Sequence, residues 1–340
     1  MKIFTIAFLF YGLQCHEALD PTFLGWISDQ NGQLFPVNRS TLFDDSTVAR
    51  VRDFNEYFFL FTRRNLLWGQ KIITGDVDSL QRSNFNPAHP TRIVVDGYLS
   101  HIVNELDVEL RVKYLGRGDY NVVIMNWTDG AVDINYIEAA VRAKVAANKL
   151  AAWMKFMRRY GGLNPNTTYL IGHSLGAHIV GLAGKQITSP KINTIFAIDP
   201  ANSPYETAPP EDRVYITDAQ YVEAIYSDYG LLAEARSSGH ASFYGAFGSF
   251  QPGCEHLSTF TLCDHARSYE YFVYSLGLVN HFFAIQCANH DLAIRRFCEP
   301  TGEYAYLGGE PSNYNRGVSG IYYLPVDYKI PYSLGQYFGL

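Results

Sequence analysis

Gly172-His173-Ser174-Leu175-Gly176 sets one serine between two glycines, where the apolar, β-branched run of residues 167–171 gives way to the small apolar residues 177–186. A serine hydroxyl is a poor nucleophile unless it is exposed and a base stands ready to take its proton. A sharp strand-to-helix turn achieves the exposure. Its flanking glycines remove the β-carbons that would strike the neighbouring backbone, and the N-terminus of the new helix lies behind the hydroxyl. The pattern therefore predicts nucleophilic acyl chemistry at Ser174.

Such a serine needs a histidine, and the histidine needs a carboxylate to fix its tautomer. On a serine elbow of this kind the chain order is serine, then acid, then histidine. In a parallel sheet the functional groups sit at the carboxyl ends of strands. Asp199 meets both conditions, standing directly after the strand-like residues 192–198 and before Pro200. Glu206, Asp212 and Asp218 lie in looser sequence and read as surface carboxylates. Five histidines follow Asp199: His240, His256, His265, His281 and His290. Position does not choose among them, although His265 lies two residues beyond Cys263 at the start of a helical run over 266–276. His173 and His178, inside the elbow, read as packing or supporting residues, since the base must approach Ser174 from another loop. The negative charge that develops during acyl transfer needs two backbone N–H groups. Leu175 is expected to supply one, and the loop after Val94 and Val95 the other.

The elements that must position these groups alternate through the middle of the chain. Residues 57–61, 92–95, 121–125, 167–171 and 192–198 read as strands, and 101–114 and 134–160 as helices, the latter alanine-rich with apolar spacing near 3.6. Strands spaced by crossover helices give a mostly parallel central sheet flanked by helices. With the serine elbow this is the α/β-hydrolase fold. The 340 residues contain no internal repeat, low-complexity tract or Pro/Gly linker, so one domain is expected.

Composition bounds the setting. Charged residues make up 18% of the chain, below the roughly 25% of ordinary soluble domains, which fits a large core. The net charge of −6, with Lys and Arg scattered, speaks against nucleic acid as a partner. Lys2 followed by the apolar residues 3–10 reads as a secretory signal, residues 1–18, with cleavage between Cys15 and Leu19 and the mature chain running over 19–340. Five cysteines less Cys15 leave four, suited to two disulfides in an oxidising compartment. Three pairings are open, and sequence neighbours are preferred. Sequons occur at Asn38, Asn126 and Asn166; Asn126, ending a strand beside the expected site, is expected to stay unmodified.

Residues 263–272, Cys-Asp-His-Ala-Arg-Ser-Tyr-Glu-Tyr-Phe, resemble the histidine segment of the pancreatic lipase family. The elbow with Ala177-His178 is similar to that family's nucleophile segment, and Ala197-Ile198-Asp199-Pro200-Ala201 to its acid segment. Gln251-Pro252-Gly253-Cys254 resembles the entry to its lid, and all these matches run in family order over most of residues 20–340. The resemblance implies Ser174 as nucleophile, Asp199 as orienting acid and His265 as base. It puts the second oxyanion N–H at Tyr98 beside that of Leu175, and implies the disulfides Cys254–Cys263 and Cys287–Cys298. The chain departs from the family at Asp96-Gly97-Tyr98, where a His-Gly pair is usual. A carboxylate there opposes the oxyanion unless Asp96 points away or is paired with a cation.

A calcium site occurs in some members of the family, but Pro210, Arg213, Tyr215 and Asp218 match its ligand spacing poorly. No metal and no cofactor are expected. Only eight residues, 255–262, lie between Cys254 and Cys263, and residues 228–239 also form a short loop. Both resemble the short-loop phospholipase A1 members, in which polar headgroups reach the site. The expected substrate is thus a phospholipid at a membrane or micelle surface, with a neutral acylglycerol as the alternative. A C-terminal β-sandwich and a colipase-type partner are not expected. Relatives that keep the fold and lose the chemistry serve as yolk or carrier proteins; that reading is favoured by a missing triad member, and none is missing.

Overall fold

The computed structural model describes residues 21–99, 105–246, 248–254, 262–295, 297–298 and 303–335. The expected signal segment and most of the short lid, residues 255–261, lie outside these. A small antiparallel hairpin, β1 (Phe23–Ser28) and β2 (Leu34–Asn38), precedes the main sheet. Eleven strands follow: β3 (Tyr57–Phe61), β4 (Gln70–Ile72), β5 (Thr91–Val95), β6 (Asn121–Asn126), β7 (Thr168–His173), β8 (Thr194–Ile198), β9 (Tyr221–Tyr226), β10 (Ala241–Gly245), β11 (Phe283–Cys287), β12 (Tyr304–Tyr306) and β13 (Gly320–Leu324). They form one sheet in the order β12-β11-β13-β10-β9-β8-β7-β5-β6-β3-β4. From β6 to β13 every neighbouring pair is parallel. Antiparallel pairing is confined to the two edges.

The sequence explains why the middle strands are central. Every residue of β5, β7 and β8 is buried, as expected for parallel strands covered on both faces, which read as continuous apolar runs rather than alternation. On β5, Ile93 and Val95 face one core and Val94 the other. The first core packs under the helices Tyr136–Phe156 and Leu175–Lys185, the second under Glu105–Arg117 and Leu262–Ser275. Asn135 caps the long helix by accepting from the N–H groups of Ile137 and Glu138. Its alanines let it lie close to the helix behind Ser174. The helix expected over 134–160 ends as α at Phe156 and closes in a single wider turn, Met157–Gly161, before Gly162 at φ 74°. Both expected disulfides are formed, Cys254–Cys263 and Cys287–Cys298.

Candidate active site

The elbow is shaped by contacts that only glycine permits. A β-carbon on Gly176 would lie 2.1 Å from the Val95 carbonyl oxygen, and one on Gly172 would lie 2.3 Å from the Gly176 carbonyl oxygen. The helix Leu175–Lys185 can therefore start directly over the ends of β5 and β7. Ser174 itself sits at φ 57° and ψ −123°, a conformation that L residues rarely adopt and that is kept only where the surroundings over-determine it. Here Ser174 N–H donates to the Ile198 carbonyl (3.0 Å), and Ala201 N–H donates to the Ser174 carbonyl (3.2 Å), so both peptide groups are pinned to the acid segment. Gly176→Ala must push the helix off the sheet or distort the elbow. It is expected to destabilise by about 3 kcal/mol, visible as a lowered unfolding midpoint in urea.

Asp199 follows the last residue of β8, is fully buried, and also holds a positive φ, 45°. Its Oδ1 accepts from the N–H groups of Ser227 (2.8 Å) and Asp228 (3.2 Å). Its Oδ2 accepts from His265 Nδ1 at 2.7 Å, with Ser227 Oγ 3.5 Å away. His265 lies in the first turn of its helix, one residue after Asp264, whose carbonyl also accepts from the Ser227 hydroxyl (2.6 Å). Asp264 Oδ1 accepts from Gln251 N–H, tying the helix start to the segment that follows β10. Burial, followed by repulsion from His173, lowers the His265 pKa below the ordinary imidazole value, against the pull of Asp199. Such an imidazole is neutral near pH 7 and can accept a proton.

The two segments expected to supply the oxyanion N–H groups meet at the same place. A β-carbon on Gly97 would lie 2.6 Å from Ser174 Cβ, so the loop after β5 passes directly against Ser174 and carries Tyr98 past it. Leu175 is the first residue of the elbow helix. The Tyr98 hydroxyl donates to the Asp133 carbonyl, and Leu99 N–H to the Ala131 carbonyl, which anchor the loop on its far side. Asp96 is the one side chain here whose sign the sequence left in question. It does have a partner: Oδ1 accepts from Gly97 N–H (2.7 Å) and faces His173 Nδ1 (3.2 Å).

The competing candidates are elsewhere. Glu206 pairs with Arg39, Asp212 with Lys144, and Asp218 with Lys185. His240 accepts from Val222 N–H at the opposite end of the sheet, and His290 is paired with Asp291 on the surface. His281 is exposed, and His256 lies outside the described residues. His178 supports the acid segment: its Nε2 donates to the Ala201 carbonyl (2.8 Å), its Nδ1 accepts from Val214 N–H (3.2 Å), and its ring stacks on Tyr205. Burial drives its pKa down to about 3. Ser227, which holds both Asp199 and the start of the helix that carries His265, was missed by sequence reasoning. Its signal is its position directly after a parallel strand, β9, that the apolar pattern did not mark.

The sequence profile of the family described as Lipase matches residues 27–332. Pancreatic triacylglycerol lipase of Ictidomys tridecemlineatus is 28% identical over 311 residues, covering 84% of this chain and 66% of that protein. Lipase member H of Danio rerio is 30% identical over 286 residues, covering 81% of this chain and 62% of that protein. Inactive pancreatic lipase-related protein 1 of Mus musculus is 27% identical over 257 residues, covering 69% and 54%. The chain thus spans between about half and two thirds of the length of the curated relatives it matches.

Proposed function

The chain belongs to the lipase family, and on that premise we propose that it is a secreted serine hydrolase of lipid carboxylic esters, of the phospholipase A1 type. The observation that carries the reading is the Asp199–His265 pair, closed at 2.7 Å, together with Ser174 on a strained elbow whose backbone is pinned to the Asp199 segment. In this reading Ser174 Oγ attacks the acyl carbon and passes its proton to His265 Nε2, while Asp199 stabilises the imidazolium. The tetrahedral oxyanion takes hydrogen bonds from the N–H groups of Leu175 and Tyr98. The proton then goes to the leaving alcohol, and a water activated by the same histidine releases the fatty acid.

Two features favour a lipid surface as the source of substrate. Leu99, Val132, Ile134, Phe250 and Leu262 are exposed apolar side chains on segments that carry or brace the site. Exposed apolar side chains on the segments around a reactive serine suit contact with a lipid surface. The segment closed by Cys254–Cys263 is also too short to cover a broad acyl-binding cleft, which favours a headgroup-accessible site. The two disulfides agree with an extracellular setting.

Hydrolysis of phosphatidylcholine and trioctanoin, counted as the part abolished by a lipophilic phosphonate ester, tests the substrate class. Release of the sn-1 fatty acid from phosphatidylcholine is expected, with no sharp rise in the trioctanoin rate at its solubility limit. A sharp rise there without phosphatidylcholine cleavage would replace this reading with that of a neutral lipase. Failure on both would favour a carrier that keeps the fold without the chemistry.

A further inference from the structure

His173 stands one residue before the nucleophile, and both of its ring nitrogens face acceptors. Nδ1 lies 3.2 Å from Asp96 Oδ1, and Nε2 lies 3.2 Å from the backbone carbonyl oxygen of His265. A neutral imidazole has one donor and one acceptor, so only the doubly protonated ring satisfies this pair of neighbours. His178, four residues later, is the internal contrast: it faces one carbonyl and one N–H, as a neutral ring requires.

We propose that His173 is a cationic positioning residue, an imidazolium held between Asp96 and the His265 carbonyl that neutralises the carboxylate beside the oxyanion pocket and fixes the base against the elbow. The proposal rests on the ester-hydrolase reading for its kinetic consequences, but not for the charge state itself. The groups facing His173 come from four elements. Asp96 follows β5, and Asp199 follows β8. His265 and Tyr269, with ring centroids 4.5 and 5.4 Å away, lie on the helix Leu262–Ser275. On the helix Glu105–Arg117, Glu105 accepts from the Tyr269 hydroxyl, and Asp107 stands near Asp96.

The charges balance accordingly. Burial alone lowers the His173 pKa, but the hydrogen bond and charge of Asp96, then the charge of Asp199, more than offset it and hold the ring above the ordinary imidazole value. Asp107 is buried, and its pKa is pushed well up by desolvation first and then by the charge of Asp96, against the pull of Arg111. Asp96 Oδ2 finds no hydrogen-bond partner among the described residues, so His173 is the cation that compensates it. The Asp96 anion otherwise stands one residue from Gly97, whose backbone abuts Ser174. The His173 cation also repels a proton on His265, which keeps the base neutral to lower pH.

The sign of the pH effect follows. In the native chain the acid limb of kcat/KM reports His265, and activity is lost as pH falls through its lowered pKa. In His173→Gln the repulsion is gone and Asp96 is uncompensated. Both changes raise the His265 pKa, so the acid limb moves to higher pH. The plateau kcat falls by about tenfold to a hundredfold, because an anion near the oxyanion is unscreened. Adding Asp96→Asn to His173→Gln removes that anion and is expected to recover most of the lost kcat and to return the limb toward its original position. A residue that only packs would give an unmoved limb and a double variant no better than the single, and that result overturns the proposal.

Titration of the histidine ring nitrogens by 15N NMR reads the charge state without activity, with His173 identified by the signal lost in His173→Gln. A midpoint above the ordinary imidazole value that drops in Asp96→Asn supports the pair. A midpoint at or below that value in the native chain overturns it. A native chain that titrates as expected but cleaves no ester would sink the hydrolase reading and leave the ion pair standing.

Discussion

Ser174→Ala is expected to lower kcat for ester hydrolysis by about six orders of magnitude and to abolish labelling by a lipophilic phosphonate. The substitution removes one oxygen and leaves the elbow intact. The two hydrogen bonds that hold the turn use the Ser174 N–H and carbonyl, not its side chain. The glycine contacts at 172 and 176 are equally untouched. The variant is thus expected to unfold at the native temperature within about a degree or two, since changes that leave no cavity and no orphaned polar group stay within roughly half a kcal/mol. Retained hydrolysis in a folded Ser174→Ala chain would show that the serine elbow is a structural relic and that any esterase activity arises elsewhere. The same variant separates chemistry from lipid adsorption, because the exposed residues Leu99, Ile134 and Phe250 are unchanged in it.

The first half of the sheet and the elbow were legible because local sequence determines them. β5, β7 and β8 are buried on both faces, so they appear as unbroken apolar runs. Asp199 was legible for the same reason, since it ends such a run. The second half was not. β9 is fully buried, yet it carries Glu223 at its third position, which breaks the apolar pattern. That carboxyl is tolerated because Gly308 N–H, Asn313 Nδ2 and the Tyr221 hydroxyl donate to it, and two of these partners lie more than 80 residues downstream. Burial still pushes it up to about 7. With β9 unmarked, Ser227 at its end was invisible too. The histidine was ambiguous for a related reason. What singles out His265 is a contact with a residue 66 positions earlier, and no local signal encodes that distance in the chain. Asp96 shows the limit from the other side. Its charge reads as a fault in the oxyanion loop until His173, 77 positions away, is found against it.

Asp199→Asn is expected to lower kcat by about four orders of magnitude while the chain stays folded, through the tautomer of His265 rather than through lost packing. Asp199 receives three donors: two backbone N–H groups on Oδ1, and His265 Nδ1 on Oδ2. An asparagine offers one oxygen and one NH2 group in that space. The N–H groups of Ser227 and Asp228 cannot turn away, because they belong to the strand end of β9, so the amide oxygen must face them. The NH2 group then faces His265 Nδ1, which has to become an acceptor, and the ring proton moves to Nε2. A ring protonated there cannot take the proton of Ser174. The mismatch itself costs about 1–3 kcal/mol of stability, small enough for the variant to be purified and assayed. Ring-nitrogen NMR would report the proton on Nε2 directly, alongside the fall in kcat. An asparagine variant working within tenfold of the native chain, with its ring proton still on Nδ1, would show that Asp199 is not the group that orients the base.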